Sequence, residues 1–169
     1  MPCKIIIVSG LPGSGKSYFA EKLAAALDFI YINSDQVRHQ LQAISRYTFE
    51  DKLLVYKEML QKTKHAIEEN RNVIVDATFY HHTMREMFVR LAYANRASIW
   101  VIEVIADENI IRERLQKPRM YSEADYSVYE KIRDDFEEIT MPHITLQSTN
   151  NNLEAMIETA KNYISSERN

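Results

Sequence analysis

Glycine is scarce in this chain of 169 residues, which contains only three. An average protein of the same length contains about a dozen, because glycine makes up roughly 7% of typical sequences. All three lie within six positions, at Gly10, Gly13 and Gly15, directly after an apolar run. Glycine is required where a side chain would clash or where the backbone is left-handed. The clustering therefore indicates one loop with a demanding conformation.

Cysteine, long apolar runs and an excess of positive charge are also missing. The single cysteine, Cys3, excludes an intrachain disulfide, which is typical of a reducing compartment. No segment approaches the roughly 18 consecutive apolar residues of a membrane span, and the short N-terminal run is unlike a signal peptide. The 21 Lys and Arg residues against 24 Asp and Glu residues give no electrostatic signature of a nucleic-acid or anionic-membrane binder. We therefore expect a cytoplasmic protein that forms a single domain over residues 1–169.

Short apolar runs alternate with longer segments of helical periodicity along the chain. Strands are predicted at residues 4–9, 29–33, 72–77, 98–105 and 143–148. Helices are predicted at residues 16–27, 48–70, 82–94, 107–116 and 126–139, followed by a last helix that ends near residue 164. Capping-box patterns mark two of these helix starts, Thr48 with Asp51 and Ser122 with Asp125. Five strands that alternate with helices predict an α/β fold, a doubly wound parallel sheet with helices on both faces.

The glycines belong to the segment Gly10–Ser17, which fits the pattern G-x-x-x-x-G-K-[ST]. It lies where a P-loop must lie, between a helix and a continuous apolar run typical of a fully buried strand. In such a loop the backbone N–H groups point inward around a phosphate, and the helix N-terminus adds a partial positive charge. Lys16 would reach the β- and γ-phosphates, and the Ser17 hydroxyl would bind Mg²⁺. We therefore predict a site for ATP and Mg²⁺ formed by Gly10, Pro12, Gly13, Ser14, Gly15, Lys16, Ser17 and Tyr18.

A P-loop alone does not distinguish kinases from GTPases or motor ATPases, but the missing glycines do. GTPases of the usual kind need an Asp-x-x-Gly switch and an Asn-Lys-x-Asp motif that reads the base, and the sequence contains neither. The glycine-dependent signature of ABC-type ATPases is absent for the same reason. The remaining class is a small phosphotransferase, in which one domain with a mobile lid is sufficient.

Four segments carry a resemblance to a known family when they are taken in order along the chain. They are the P-loop, INSDQVRHQL after the second strand, VIVDATF at the third strand, and IIRERLQKPRMYSEADYSVYEKI. Together they resemble the P-loop kinases grouped with polynucleotide 5′-kinase and zeta toxin, over nearly the whole chain. The resemblance implies a P-loop kinase fold with a short lid at about residues 116–125, and an ATP-dependent kinase activity.

The same resemblance implies roles for four polar residues. Asp35, just past the second strand, resembles the general base that accepts the proton of the substrate hydroxyl. Arg38 resembles an arginine that steadies the acceptor or its phosphate. Arg114 and Arg119 occupy places similar to those of lid arginines that close over the transferring phosphoryl group. A structural interpretation stands beside each role. Asp35 follows Ser34 at an apparent helix start, where acidic residues are common. Arg112, Arg114 and Arg119 can form a solvated helix face with Lys117.

Asp76 ends the third apolar strand in the manner of a Walker B residue, which would hold Mg²⁺ directly or through water. Alternatively, it is a capping aspartate at a strand end. The resembling family often has Asp-x-Thr-Asn at this place, whereas this chain has Asp76, Ala77, Thr78 and Phe79. The sequence does not predict what replaces the asparagine at the acceptor.

His81 and His82 follow the third strand, beside the predicted acceptor cleft, with Arg85 one turn further on. Paired histidines suggest a metal site, but adjacent residues point apart on a helix, and no cysteine or further histidine lies nearby in the sequence. We therefore favour a surface or helix-capping role. The polar tract TNNN at residues 149–152 either borders the adenine pocket or forms a plain loop.

The function predicted from these features is transfer of the ATP γ-phosphoryl group to a hydroxyl of a small metabolite or nucleoside-like substrate. A polynucleotide 5′-hydroxyl kinase is an alternative that the charge balance does not favour. An alternative from a different class is a regulatory module that binds ATP without transferring phosphate. The acidic residue at position 35 argues against this alternative. The expected partners are ATP and a hydroxyl-bearing acceptor, with no membrane, and the sequence is compatible with a monomer.

Overall fold

The computed structural model describes residues 1–43, 46–118 and 124–166. Its strands are β1 (Lys4–Ser9), β2 (Ile30–Asn33), β3 (Val73–Asp76), β4 (Ser98–Ile105) and β5 (Ile144–Gln147). Its helices are α1 (Lys16–Leu27), α2 (Ser34–Gln40), α3 (Phe49–Glu68), α4 (His82–Ala94), α5 (Glu108–Leu115), α6 (Tyr126–Asp135) and α7 (Leu153–Ser165). The strands form one parallel sheet in the order β2-β3-β1-β4-β5, which confirms the predicted doubly wound α/β fold.

The central strand β1 carries apolar side chains to both faces of the sheet, because successive residues of a strand point in opposite directions. Ile5 and Ile7 belong to one buried cluster, with side chains from α3 and α4 that include Met59 and Phe88. Ile6 and Val8 belong to the opposite cluster, with side chains from α1 and α7 that include Phe19, Leu23, Met156 and Ala160. Burial of each such aliphatic side chain contributes about 1.5–3 kcal/mol, so the strand that leads into the P-loop is firmly anchored.

The longest described helix, α3, begins with the predicted capping box. The Thr48 hydroxyl accepts a hydrogen bond from the Asp51 backbone N–H (3.1 Å), and the Asp51 carboxylate accepts one from the Thr48 N–H (3.2 Å). The helix is amphipathic and buries one side only, with Val55, Met59 and Ala66 among its buried residues. Within the described ranges, no helix combines the length and the apolar character needed to cross a membrane.

Helix α6 ends at Asp135, four residues earlier than predicted. Its N-cap is Asp125, whose carboxylate accepts a hydrogen bond from the Val128 N–H (3.0 Å). The predicted capping box instead made Ser122 the cap and Asp125 the third helical residue, and Ser122 lies outside the described residues. Phe136 is extended because the next residue bonds elsewhere: the Glu137 N–H donates to the Tyr80 carbonyl (2.8 Å). A contact between distant segments therefore overrides the helical periodicity of residues 136–139.

Candidate active site

The P-loop connects β1 to α1 at the middle of the sheet, beyond the carboxyl end of its central strand. Gly13 and Gly15 adopt positive φ angles of 78° and 90°, which residues with side chains rarely tolerate. A Cβ atom on Gly10 would lie 2.5 Å from the Val104 carbonyl oxygen, so this position excludes any side chain. The loop conformation therefore requires the three glycines of the chain where they stand.

We expect Gly15→Ala to lower the free energy of unfolding by about 1–3 kcal/mol, because alanine is strained at this backbone conformation. Its Cβ would also lie 2.6 Å from the Ser148 Oγ and 2.9 Å from an Arg114 guanidinium nitrogen. Urea denaturation measures the loss. Gly13→Ala is the matched control, since it has similar backbone strain but meets only aliphatic side-chain atoms of α5, at 3.0–3.2 Å, and should lose less. Unchanged stability of Gly15→Ala would contradict the prediction.

Arg114 on α5 connects the P-loop to the segment that follows β5. Its guanidinium donates hydrogen bonds to the Gly13 carbonyl (3.2 Å), the Ser148 hydroxyl (3.1 Å) and the Thr149 carbonyl (3.1 Å). Burial lowers the pKa of this guanidinium, which nevertheless stays charged at neutral pH. The structure thus places Arg114 on a helix beside the P-loop, where it holds a loop carbonyl.

The other candidate arginines of this region have different surroundings. Arg112 forms an ion pair with Glu108 (3.2 Å), and its guanidinium lies 4.1 Å from the centre of the Tyr126 ring. These contacts agree with the alternative in which Arg112 belongs to a solvated helix face. Arg119 lies outside the described residues, as do residues 119–123 of the predicted lid.

A cavity next to the P-loop, here called the P-loop cavity, is lined by Gly13, Lys16, Ser17, Arg114, Thr149 and Asn152. The tract 149–152 therefore borders the same cavity as the P-loop. Asn152 fixes this tract, since its amide donates to the Gln147 carbonyl (2.7 Å) and its Oδ1 accepts from the Thr149 N–H (2.8 Å). An opening of this kind, between a P-loop and a polar loop, is suited to a nucleotide.

Asp76 at the end of β3 is fully buried and holds a network of polar side chains. Its Oδ2 accepts hydrogen bonds from the Tyr31 hydroxyl (2.6 Å) and from the Asn33 amide (2.7 Å). The Asn33 amide also lies 3.4 Å from the Ser17 hydroxyl, which links the carboxylate to the P-loop. Burial, followed by the charge of Asp76, raises the pKa of Tyr31, so Tyr31 remains a neutral hydrogen-bond donor.

The second carboxylate oxygen of Asp76, Oδ1, is buried and has no hydrogen-bond partner among the described residues. A buried carboxylate oxygen without a partner is costly, and a cation is a natural partner for it. Mg²⁺ prefers carboxylate and hydroxyl oxygens of the kind that Asp76 and Ser17 offer. The residues present therefore fit the predicted magnesium ion.

Tyr31 and Asn33 were not among the sequence candidates. They are two residues apart on β2, so their side chains point to the same face of the sheet. The register of the sheet places Asn33 opposite Asp76. The polar residues at positions 31 and 33 of an otherwise apolar strand were the available signal. Their meaning depends on the pairing of β2 with β3.

Asp35 lies in the first turn of α2 without being its cap. The cap is Asn33, whose Oδ1 accepts a hydrogen bond from the Gln36 N–H (3.0 Å). Asp35 is half-buried and lines a second cavity, here called the Asp35 cavity, together with Lys16 and Arg38. Lys16 lines the P-loop cavity as well, so it stands at the boundary between the two.

Phe79 stands where the resembling kinases often have asparagine, and its backbone is left-handed, with φ 50°. Asparagine adopts this conformation more readily than phenylalanine. The strain is offset by packing, since the Phe79 ring is fully buried and lies edge-on to Tyr56 (5.2 Å) and Phe88 (5.4 Å). The Phe79 N–H also donates to the Tyr56 hydroxyl (2.9 Å). Phe79 is therefore a core residue, and Thr78 is the neighbour that lines the Asp35 cavity.

His81 caps α4, since its Nδ1 accepts a hydrogen bond from the Thr83 N–H (3.2 Å). The Glu137 carboxylate lies 3.2 Å from the His81 Nε2 and 2.5 Å from the His82 Nδ1. With Nδ1 as acceptor, the neutral His81 ring carries its proton on Nε2 and cannot use that atom as a metal ligand. The predicted helix-capping role is confirmed for His81, and Arg85 ties the same region together through the Glu137 carbonyl (2.9 Å).

The sheet order and the P-loop give this chain the fold of the P-loop kinases. Residues 5–139 match the family model described as an AAA domain, and the chain belongs to this family. Uncharacterized proteins of Mycobacterium tuberculosis and Mycobacterium bovis are 27% identical over 124 residues, which cover 66% of this chain. The match covers 25% of each relative, so the chain spans about a quarter of their length.

Solved structures with the same fold include kinases. An APS kinase of Mycobacterium tuberculosis, in complex with AMPPNP and APS, has a TM-score of 0.77 at 16% identity, over 98% of this chain and 100% of that chain. A gluconokinase from Sinorhizobium meliloti has a TM-score of 0.64 at 17% identity, over 98% of both chains. Kti12 of Chaetomium thermophilum, in complex with ADP-AlF3, has a TM-score of 0.70 at 20% identity, over 96% of this chain and 100% of that chain. At these identities the likeness concerns the fold.

Proposed function

We propose that this protein is an ATP- and Mg²⁺-dependent kinase, which transfers the γ-phosphoryl group of ATP to a hydroxyl of a small metabolite or nucleoside-like acceptor. The observation that carries the proposal is the position of Lys16 at the boundary of two cavities. One cavity is bordered by the P-loop and the tract 149–152, and the other contains a half-buried carboxylate, Asp35. The kinases among the similar folds support the same assignment.

In the proposed reaction, the P-loop N–H groups and Lys16 hold the triphosphate, with its γ-phosphate towards the Asp35 cavity. The acceptor oxygen attacks the γ-phosphorus, the bond to the bridging oxygen breaks, and ADP leaves. Asp35 orients the acceptor hydroxyl and accepts its proton, while Arg38 steadies the acceptor. Ser17 and Asp76 would hold Mg²⁺, which supplies charge neutralisation of the phosphates when bound.

The two remaining arginines of the proposed site have different roles. Arg114 donates a hydrogen bond to the Gly13 carbonyl, which orients the loop so that its N–H groups point towards the nucleotide. Arg119 is proposed for the lid that closes over the transferred group and excludes water. Gly10, Pro12, Ser14 and Tyr18 complete the proposed nucleotide site.

A phosphotransfer assay tests the proposal with ATP labelled on the γ-phosphate and a panel of acceptors. The panel contains sugars, nucleosides, their phosphates and 5′-hydroxyl oligonucleotides, each with Mg²⁺ and with a chelator. We expect transfer from ATP to a small hydroxyl compound, and no transfer when the chelator is present. A strict preference for GTP would contradict the nucleotide assignment, and ATP binding without transfer would favour a non-catalytic module.

A further inference from the structure

Positive side chains crowd the Asp35 cavity, which is lined by Arg38, Lys52 and Lys131 in addition to Lys16. Asp35 is the single carboxylate among the described residues that line it. The whole chain has a net charge of −3, so overall composition does not explain this local excess. Clustered cations repel one another unless an anion lies between them.

Lys52 and Lys131 reach this cavity from different helices, α3 and α6. Within the described residues, neither lysine forms a salt bridge. Burial, followed by the charges of Lys131 and Arg38, lowers the pKa of Lys52, and Asp135 opposes this shift only in part. The ammonium of Lys52 lies 4.7 Å from the centre of the Tyr80 ring. Among the described residues, the two ammonium groups therefore line one cavity without a salt bridge, and Asp135 offsets their repulsion only in part.

Arg38 adds a third cation with an incomplete set of partners. It is 9% exposed, its Nη1 donates to the Arg46 carbonyl (2.8 Å), and its guanidinium lies 4.7 Å from the centre of the Tyr47 ring. Its Nε is buried and has no hydrogen-bond partner among the described residues. A buried donor of this kind is costly unless a ligand supplies the acceptor.

We propose that the acceptor already carries a phosphomonoester, which binds between Lys52 and Lys131 while the acceptor hydroxyl lies at Asp35. This inference rests on the proposed kinase function and narrows its substrate class. Tyr47 and Tyr80 line the same cavity, and their aromatic rings suit a base or the apolar face of a sugar ring. A small phosphomonoester is favoured over a polynucleotide because these cations line one cavity, whereas the chain as a whole is acidic.

Calorimetry with a small probe tests this site separately from catalysis. Saturating AMPPNP and Mg²⁺ first fill the P-loop, so that a phosphate probe cannot bind there. The probe is phenyl phosphate, which combines a ring with a phosphomonoester, and phenol is its neutral counterpart. We expect phenyl phosphate to bind at least about 100-fold more tightly than phenol, because two charge-assisted contacts are each worth about tenfold.

Two variants and two controls assign the binding to the lysines. Lys52→Gln and Lys131→Gln should each weaken phenyl phosphate binding about tenfold, and they lie on separate helices, so misfolding of one does not remove the test. Lys52→Arg keeps the charge and should retain most of the affinity. Lys57→Gln removes an exposed lysine from the same helix as Lys52 and should change nothing.

The acceptor panel then separates this inference from the kinase proposal. Phenyl phosphate binding that depends on both lysines, with no transfer to any acceptor, would keep the anion site and reject the kinase. Transfer to glucose or adenosine as efficient as transfer to glucose 6-phosphate or AMP, together with equal binding of phenol and phenyl phosphate, would reject the anion site and keep the kinase. Preference for a 5′-hydroxyl oligonucleotide over every small phosphate would overturn the assignment to a small acceptor.

Discussion

Lys16→Ala should reduce kcat/KM for phosphotransfer by at least about 10²–10³-fold, because it removes the ammonium that stabilises charge on the transferring phosphoryl group. The side chain is 8% exposed, and among the described lysines Lys16 alone lines both the P-loop cavity and the Asp35 cavity. Alanine is also the best helix former, and Lys16 is the first residue of α1, so the fold should persist. Steady-state kinetics and thermal melting followed by circular dichroism measure the two quantities.

Lys22→Ala is the matched control for this experiment. Lys22 lies on the same helix, loses the same charge and is exposed to solvent, where its ammonium lies 5.6 Å from the centre of the Tyr18 ring. It should retain normal turnover. Phosphotransfer by Lys16→Ala at the rate of the parent protein would reject the P-loop as the catalytic nucleotide site, and a collapsed melting transition would show that the loss came from unfolding.

Those parts of the site that depend on neighbouring residues in the chain could be predicted from the sequence. The P-loop is defined by the spacing of Gly10, Gly15 and Lys16 between an apolar strand and a helix, all within one short segment. The bounds of β1, α1, α4 and β4 agree with the prediction because their apolar patterns are long and regular. In these cases the local sequence and the tertiary packing favour the same conformation.

The partners of Asp76 could not be predicted because they depend on the order of strands in the sheet. Asn33 lies opposite Asp76 only because β2 pairs with β3, and this order differs from the order along the chain. The cations of the Asp35 cavity have the same origin, since Lys52 and Lys131 come from helices that are separated by two strands in the sequence. Sequence motifs therefore identify single residues, but which residues meet in one site depends on how the strands and helices pack.

Asp35→Asn should reduce turnover by about 10²–10⁴-fold, which is the usual contribution of a positioned general base. Asparagine keeps the shape of the side chain and most of its hydrogen bonds, but it cannot accept the proton of the acceptor hydroxyl. Nucleotide affinity should change little, because Asp35 lines the Asp35 cavity and is not among the residues of the P-loop cavity. Turnover is measured with the acceptor that the panel identifies, and ATP binding is measured by titration calorimetry.

Asp28→Asn is the control for this substitution, since Asp28 is exposed and its left-handed backbone, with φ 53°, suits asparagine as well as aspartate. It should leave turnover and nucleotide affinity unchanged. Thermal stability of Asp35→Asn should hold or fall slightly, because Asp35 is the single carboxylate among the described residues of a cavity that four cations line. Near-normal turnover would exclude Asp35 from the mechanism. Loss of ATP binding together with turnover would instead assign Asp35 to the metal site, because a general base affects the chemical step and leaves nucleotide affinity intact.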